Sequence, residues 1–273
     1  MKRISIGQFY PAKSPIHSLD GRFRILCTLC FMISTFLCKS LASFVFLVLF
    51  TVLLVCVSRV PLGIVLRSIR MIIYILTITF FINVLFTAGD GEPFFSWWII
   101  KLYADGLWKA AFMAVRILCL VTGSGLLISY TATPIDITHS LESLLSPLKK
   151  IGVPVHDFSM MMFIALRFIP TLSDDADKIM TAQMSRGVDF TTGSLFKRIK
   201  SLVPILVPLF VSAFRRADEL ATAMECRCYH GGEGRTSMKT YTLHVSDIVC
   251  LCVFIAAGAG VVFLNVIPTG YRL

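Results

Sequence analysis

Two short stretches hold the residue types best suited to recognition chemistry: TAQMSRGVDF, residues 181–190, and ATAMECRCYHGG, residues 221–232. Each places an alanine four residues before an arginine, Ala182 before Arg186 and Ala223 before Arg227. A guanidinium is a planar fork of donors that matches a carboxylate. An alanine one turn earlier shares its helical face and lets another backbone approach closely. The pair therefore suits a helix end that enters an acidic groove. A helix stop is the competing reading: the cation complements the negative end of the macrodipole, and Gly187 supplies a left-handed cap. That reading covers Arg186 well and Arg227 less well, because Cys228 follows the second arginine and Gly231-Gly232 come later. The residues alone leave both readings open.

Other reactive patterns are weak. Cys27-x-x-Cys30 has no second pair or nearby histidine, and Cys226-x-Cys228-x-His230 is one thin cluster, so no metal site is expected. Buried in apolar helices, the remaining cysteines act as small hydrophobes, and no disulfide framework is implied. No G-x-x-x-x-G-K-[ST] is present; the run Gly231-Gly232-Glu233-Gly234-Arg235 lacks the lysine and hydroxyl. ATP hydrolysis is therefore assigned to a partner. An intramembrane enzyme would need H-E-x-x-H or paired aspartates within a span, whereas His17 and Asp20 precede the first one. A self-contained permease or channel needs ionisable groups deep in the bilayer. Arg116 is its one clear candidate, with Lys109 nearer an end.

The elements that position these residues are set by composition. Of 273 residues 56% are hydrophobic and 15% charged, and the mean hydropathy is +0.79. That much apolar surface needs lipid as solvent. Residues 25–38, 41–58, 70–88, 107–129 and 245–267 read as five membrane spans. The first two are separated only by Lys39-Ser40. As one helix they would run roughly 51 Å against a hydrocarbon core of roughly 30 Å, so a tight hairpin is expected. No cleaved signal peptide is expected. The net charge of +10 is read through its distribution, and no basic patch interleaved with aromatics suggests nucleic acid. With the N-terminus cytoplasmic, Lys2, Arg3, Lys13, Arg22, Arg24, Arg59, Arg67, Arg70 and residues 130–244 lie inside. Only Lys39, Lys101 and Arg272 lie outside, near Asp90, Glu92, Asp105 and the interfacial pair Trp97-Trp98.

Residues 130–244 carry 13 Lys or Arg and 11 Asp or Glu, yet also long apolar runs. From Phe158, apolar residues recur every three or four positions to Met184, one face of a helix that Pro170 interrupts. A second helix is expected over 195–226, with Pro204 and Pro208 in its first half, and a shorter one over 134–148. The apolar run 202–214 is short, holds two prolines and has cations at both ends. It is read as packed on protein or on the inner membrane face. The chain is thus divided into 1–129, a membrane domain of four spans; 130–244, a cytoplasmic domain of long amphipathic helices; and 245–273, a last span. The fold class is an all-α membrane protein.

The opening IGQFYPAKSPIHSLDGRFRIL, the block from TATPIDITHSLESLLSPLKKIG to TAQMSRGVDF, and PILVPLFVSAFRRADELATAMECRCYHGGEGRT occur in one order along the chain. Together they resemble the transmembrane component of energy-coupling factor transporters, EcfT, a CbiQ-like family. The resemblance implies a coupling domain whose two arginine tips dock on two ABC-type ATPases, which bind ATP and magnesium. Carried over, Ala182, Gln183, Arg186 and Gly187 form one tip, and Ala223, Glu225, Arg227 and Tyr229 the other. Ser185 and Cys226 precede the arginines and Cys228 replaces the second glycine, which departs from the family's usual Ala-Arg-Gly. The resemblance also implies an apolar platform for a small substrate-binding membrane subunit that brings a vitamin or metal ion across the cell membrane. Met160, Met161, Ala165, Phe168, Leu202, Leu206, Leu209 and Phe210 are its candidates, and ordinary core packing is the other reading of the methionines.

Overall fold

The computed structural model describes residue 10 and residues 14–86, 95–97, 100–102, 104–190, 194–231 and 244–266. Eight α-helices carry the fold among them: α1 Gly21–Leu37, α2 Leu41–Ser58, α3 Leu62–Phe86, α4 Ala104–Ser124, α5 Pro134–Leu145, α6 Val155–Ser185, α7 Leu195–Glu225 and α8 Val245–Val266. A π turn, Gly125–Ser129, extends α4, and a 3-10 turn, Ser146–Ile151, follows α5. Among the described residues, the one departure from helix and turn is a short antiparallel pair, β1 Phe95–Trp97 and β2 Ile100–Leu102, with Phe95 opposite Leu102. Lys2, Arg3, Lys13, Asp90, Glu92, Trp98 and Arg272, used above for orientation, lie outside the described residues.

The hairpin expected at Lys39-Ser40 is present, and its polar groups are satisfied from across the bundle. Asn265 on α8 accepts from the Lys39 and Ser40 amides at 3.0 and 3.2 Å and donates to the Leu37 carbonyl at 2.7 Å. Arg116 on α4 donates to the Cys38 carbonyl at 2.8 Å, with its guanidinium 5.3 Å from the centre of the Phe44 ring. Orphan carbonyls at a helix end are costly where water is absent, so these two side chains let α1 end within an apolar surrounding.

The other end is tied as well. Asp247, fully buried in the first turn of α8, accepts from the Asp20 amide at 3.1 Å and the His244 amide at 3.0 Å. Asp20–Asp247 at one end and Lys39–Asn265 at the other make α1 and α8 parallel. Arg116 against Cys38 and Gly123 against Phe31 make α4 antiparallel to α1; a Cβ on Gly123 would lie 2.2 Å from the Phe31 ring. Hence α4 ends, and α8 begins, on the side where α1 begins. The segment between them leaves and returns on that side.

By length and composition, four helices among the described residues can cross a membrane: α2, α4 with its π extension from Gly106, α6 and α8. At 17 residues, α1 spans about 25 Å and falls short by that measure, yet it runs latched beside α8 from end to end. For α3, which starts eight residues before the expected span, Ile72–Leu85 is the apolar part. Inclusion of α6 was not expected; its second half holds Asp174, Asp175, Asp177 and Lys178 and makes it the least apolar of the four. Hydroxyls within the bundle are satisfied by their own helices: Thr28, Ser34, Thr35 and Thr51 each donate to the carbonyl four residues back.

The opening segment forms a knot of its own. Arg24 donates to the carbonyls of His17, Leu19 and Thr131 at 3.1, 2.6 and 2.6 Å. His17 Nε2 donates to the Tyr10 carbonyl at 2.9 Å, and Ser14 Oγ lies 2.7 Å from Nδ1. Tyr10 in turn donates its amide to the Tyr130 carbonyl at 3.0 Å. Ser14, His17 and Arg24 in the opening SPIHSLDGRFR stretch thus serve to fix backbone. The chain forms two compact units, divided within α5 between Ser143 and Leu144. One holds α1 to α4, most of α5 and α8; the other holds α6 and α7.

Candidate docking tips and coupling surface

Both tips grow from an antiparallel pair of long helices. Gln183 near the end of α6 meets the Pro204 carbonyl in the first third of α7, at 3.5 Å, and Asp175 pairs with Arg216 further along. The Gln183 contact has a local cause. In an unbroken helix the Pro204 carbonyl would accept from the amide of residue 208, but that residue is proline and has no N–H. Gln183 supplies the missing donor. It therefore faces α7, while Ala182 and Arg186 are exposed at the tip.

Each helix ends in the same turn. At the first tip the Gly187 amide bonds the Met184 carbonyl at 3.0 Å and the Val188 amide the Gln183 carbonyl at 3.1 Å, with Gly187 at φ +85°. At the second, the Cys228 amide bonds the Glu225 carbonyl at 2.9 Å and the Tyr229 amide the Met224 carbonyl at 3.1 Å, with Cys228 at φ +54°. These are two complete Schellman caps in one register, so that Arg186 and Arg227 occupy the same place in the turn. The glycine missing from the second motif changes the residue in the left-handed position, not the turn. Arg227 and Ala223 are exposed like their counterparts, and among the described residues neither arginine has an ion-pair partner. Because the helices are antiparallel, the tips lie at opposite ends of the pair.

The apolar candidates separate into two surfaces. Between the helices lies a cleft of about 480 Å³ whose walls include Ile164, Phe168, Ala213, Ala217 and Met224. Phe168 and Tyr229 belong to this cleft, as does Glu225 at its rim; Tyr229 beside Met224 is the apolar contact that a Schellman cap favours. Outward lie Met161, Ala165, Leu202, Leu206 and Phe210, with Phe210 61% exposed, while Met160 and Leu209 are half-buried. Pattern reading centred the outward face on 202–214 and missed its beginning, Phe196 and Ile199, which are 79% and 64% exposed. The spacing from 196 to 203 carried that signal, masked by the three cations between.

Cys226 and Cys228 are exposed beside Arg227. Among the described residues no group of three His, Cys, Asp or Glu side chains is placed to hold a metal ion.

Comparison with known proteins places these features in a family setting. The family described as Cobalt transport protein, CbiQ, matches residues 12–238. The energy-coupling factor transporter transmembrane protein EcfT of Clostridium kluyveri is 47% identical over 256 residues, 93% of this chain and 94% of the relative. Its namesake from Acidaminococcus fermentans is 46% identical over 96% of this chain and 97% of the relative. That from Bacillus subtilis is 42% identical over 97% and 99%.

Proposed function

Since the chain belongs to the CbiQ family and, by identity over nearly its whole length, to the EcfT transmembrane proteins of energy-coupling factor transporters, we propose that its two arginine tips dock on two ABC-type ATPase subunits. Through them the chain links ATP hydrolysis to reorientation of a small substrate-binding subunit that takes up a vitamin or metal ion. The chain sits in the cell membrane with its N-terminus and the α6–α7 pair facing the cytoplasm.

One observation carries the reading: two helices end in the same cap, at opposite ends of one pair, each exposing an alanine and, on the same face, an arginine with no ion-pair partner among the described residues. A helix stop needs the cap and the cation but not the repeated alanine. Two attachment points at opposite ends suit two motors, because closure of an ATPase pair then changes the angle between α6 and α7. The outward residues Met161, Leu202, Leu206 and Phe210 supply the platform, and methionine there adapts to more than one subunit. The permease alternative loses its candidate group, because the Arg116 guanidinium is engaged with the Cys38 carbonyl and the Phe44 ring.

Charge reversal tests the docking. Removing one side of a buried charge pair costs roughly 2 to 5 kcal/mol, and two linked contacts raise each other's effective concentration. Arg186→Glu or Arg227→Glu alone is expected to weaken retention of the ATPases in a detergent pull-down, and the double variant to abolish it while the protein still inserts. Undiminished retention by the double variant refutes the proposal.

A further inference from the structure

The outward face of α7 has more apolar area than a docking platform at Leu206 and Phe210 needs, and its first turns differ chemically from the rest. Phe196, Ile199, Val203, Val207, Phe210 and Phe214 follow one another at intervals of three and four, and all are exposed. Ile205, on the opposite face, is only 5% exposed. Soluble surfaces rarely expose a continuous apolar stripe of this length, so something covers it. What covers its start is indicated by charge. Between Asp189 and Asp218 there is no acidic residue, while Lys197, Arg198, Lys200, Arg215 and Arg216 are all basic.

Arg216 is engaged by Asp175. Lys197, Arg198 and Lys200 are exposed, and among the described residues none has an ion-pair partner. On a helical wheel Lys197 and Lys200 fall on one flank of the stripe, whereas Arg198 lies towards the face that carries Ile205, so two of the three cations border the apolar residues. Long basic side chains in that position lay their stems along the apolar surface and lift their heads to its edge. An apolar stripe bordered by cations and free of acids is the pattern of a helix that lies in the headgroup layer of an anionic leaflet. The α6 helix lacks the pattern, because Asp174, Asp175 and Asp177 share its surface with Lys178.

We propose that the first turns of α7, from Phe196 to Val203, bind the surface of a bilayer rich in anionic phospholipid, with Phe196, Ile199 and Val203 in the acyl boundary and Lys197 and Lys200 on the phosphates. The tips take no part, so the ATPase pull-down neither supports nor weakens this assignment.

The test places benzoylphenylalanine at position 196 of the full chain, together with any subunits that co-purify, in nanodiscs of phosphatidylcholine with one part in five phosphatidylglycerol. Irradiation followed by intact mass identifies the adduct. Each interfacial cation favours an anionic lipid roughly five-fold. The ratio of phosphatidylglycerol to phosphatidylcholine adducts is therefore expected at least five-fold above the ratio in the disc, falling to that ratio in the Lys197→Gln, Lys200→Gln double variant. The Lys197→Arg, Lys200→Arg variant keeps the enrichment, which separates lost charge from lost folding. Soluble glycerol phosphate leaves it unchanged if the ligand is a leaflet. Adducts in proportion to lipid composition, adducts to another protein chain only, no adduct at all, or enrichment removed by soluble phosphate would each overturn the proposal.

Discussion

The two caps offer a paired experiment in which the same substitution, run in opposite directions, must give opposite signs. At the first tip the left-handed position is Gly187, with nothing within 4 Å of a Cβ built there. Gly187→Ala thus meets no steric neighbour, and its cost is conformational. A Cβ in the left-handed region costs roughly 1 to 2 kcal/mol, offset by roughly 0.4 to 1 kcal/mol because the frayed chain loses glycine's freedom. About 1 kcal/mol remains, a factor of about five in the opening equilibrium. At the second tip Cys228 already carries that strain at φ +54°, so Cys228→Gly reverses both terms. Hydrogen exchange on the purified protein reads the difference at the donating amides. Exchange at residues 187 and 188 should quicken about five-fold in Gly187→Ala, and at 228 and 229 slow about five-fold in Cys228→Gly, after correction for intrinsic rates. Cys228→Ala keeps the Cβ and should change little. Faster exchange at 228 and 229 in Cys228→Gly would mean that the thiol side chain holds the turn, and the strain argument would be wrong.

Asp247→Ala removes the acceptor of two amides from a fully buried site and should cost about 3 kcal/mol, read as a lowered Tm in detergent; Asp247→Asn, which keeps one acceptor oxygen, should cost less. Gly123→Ala should cost roughly 1 to 3 kcal/mol by forcing the Phe31 ring aside, whereas Gly63→Ala, with nothing within 4 Å, should gain up to about 1 kcal/mol; thermal unfolding of the two variants gives opposite shifts if the close approach is real. Arg116→Met, which strips the donor from the Cys38 carbonyl, should lower Tm while the ATPases still co-purify, and loss of transport with Tm unchanged would return Arg116 to a transport role.

The local signals were legible in the amino-acid order. Alternation of three and four placed α7 to within a residue and α6 to within three of their ends, and the Lys39-Ser40 break between two apolar runs marked the first hairpin. The π turn after α4, which starts at Gly125 inside an apolar run read as continuous helix, and the short β pair in the loop between two expected spans were not. The two residues that tie α8 to α1 were also silent. Asp247 and Asn265 meet partners 227 and 226 residues away, and no periodicity encodes a pairing at that distance. For the tips, the arginines and alanines were readable, but the second cap was not, because cysteine in a left-handed position is an exception no propensity anticipates. Gln183 looked like part of a docking end; only the two prolines of α7, set four residues apart, show why it turns inward.

The latch between Asn265 and the first hairpin has a consequence for how the protein is made. When residues 37 to 40 leave the ribosome, the Ser40 amide already has Ser43 Oγ within reach, but the Asn265 side chain that serves the Lys39 amide and the Leu37 carbonyl is synthesised only 226 residues after Lys39. Until then the earliest bend must stay wet or borrow lipid headgroups. A late helix thus seals an early bend: α8 closes the turn between α1 and α2, and a nascent chain stopped before residue 265 would be left with an open seam there.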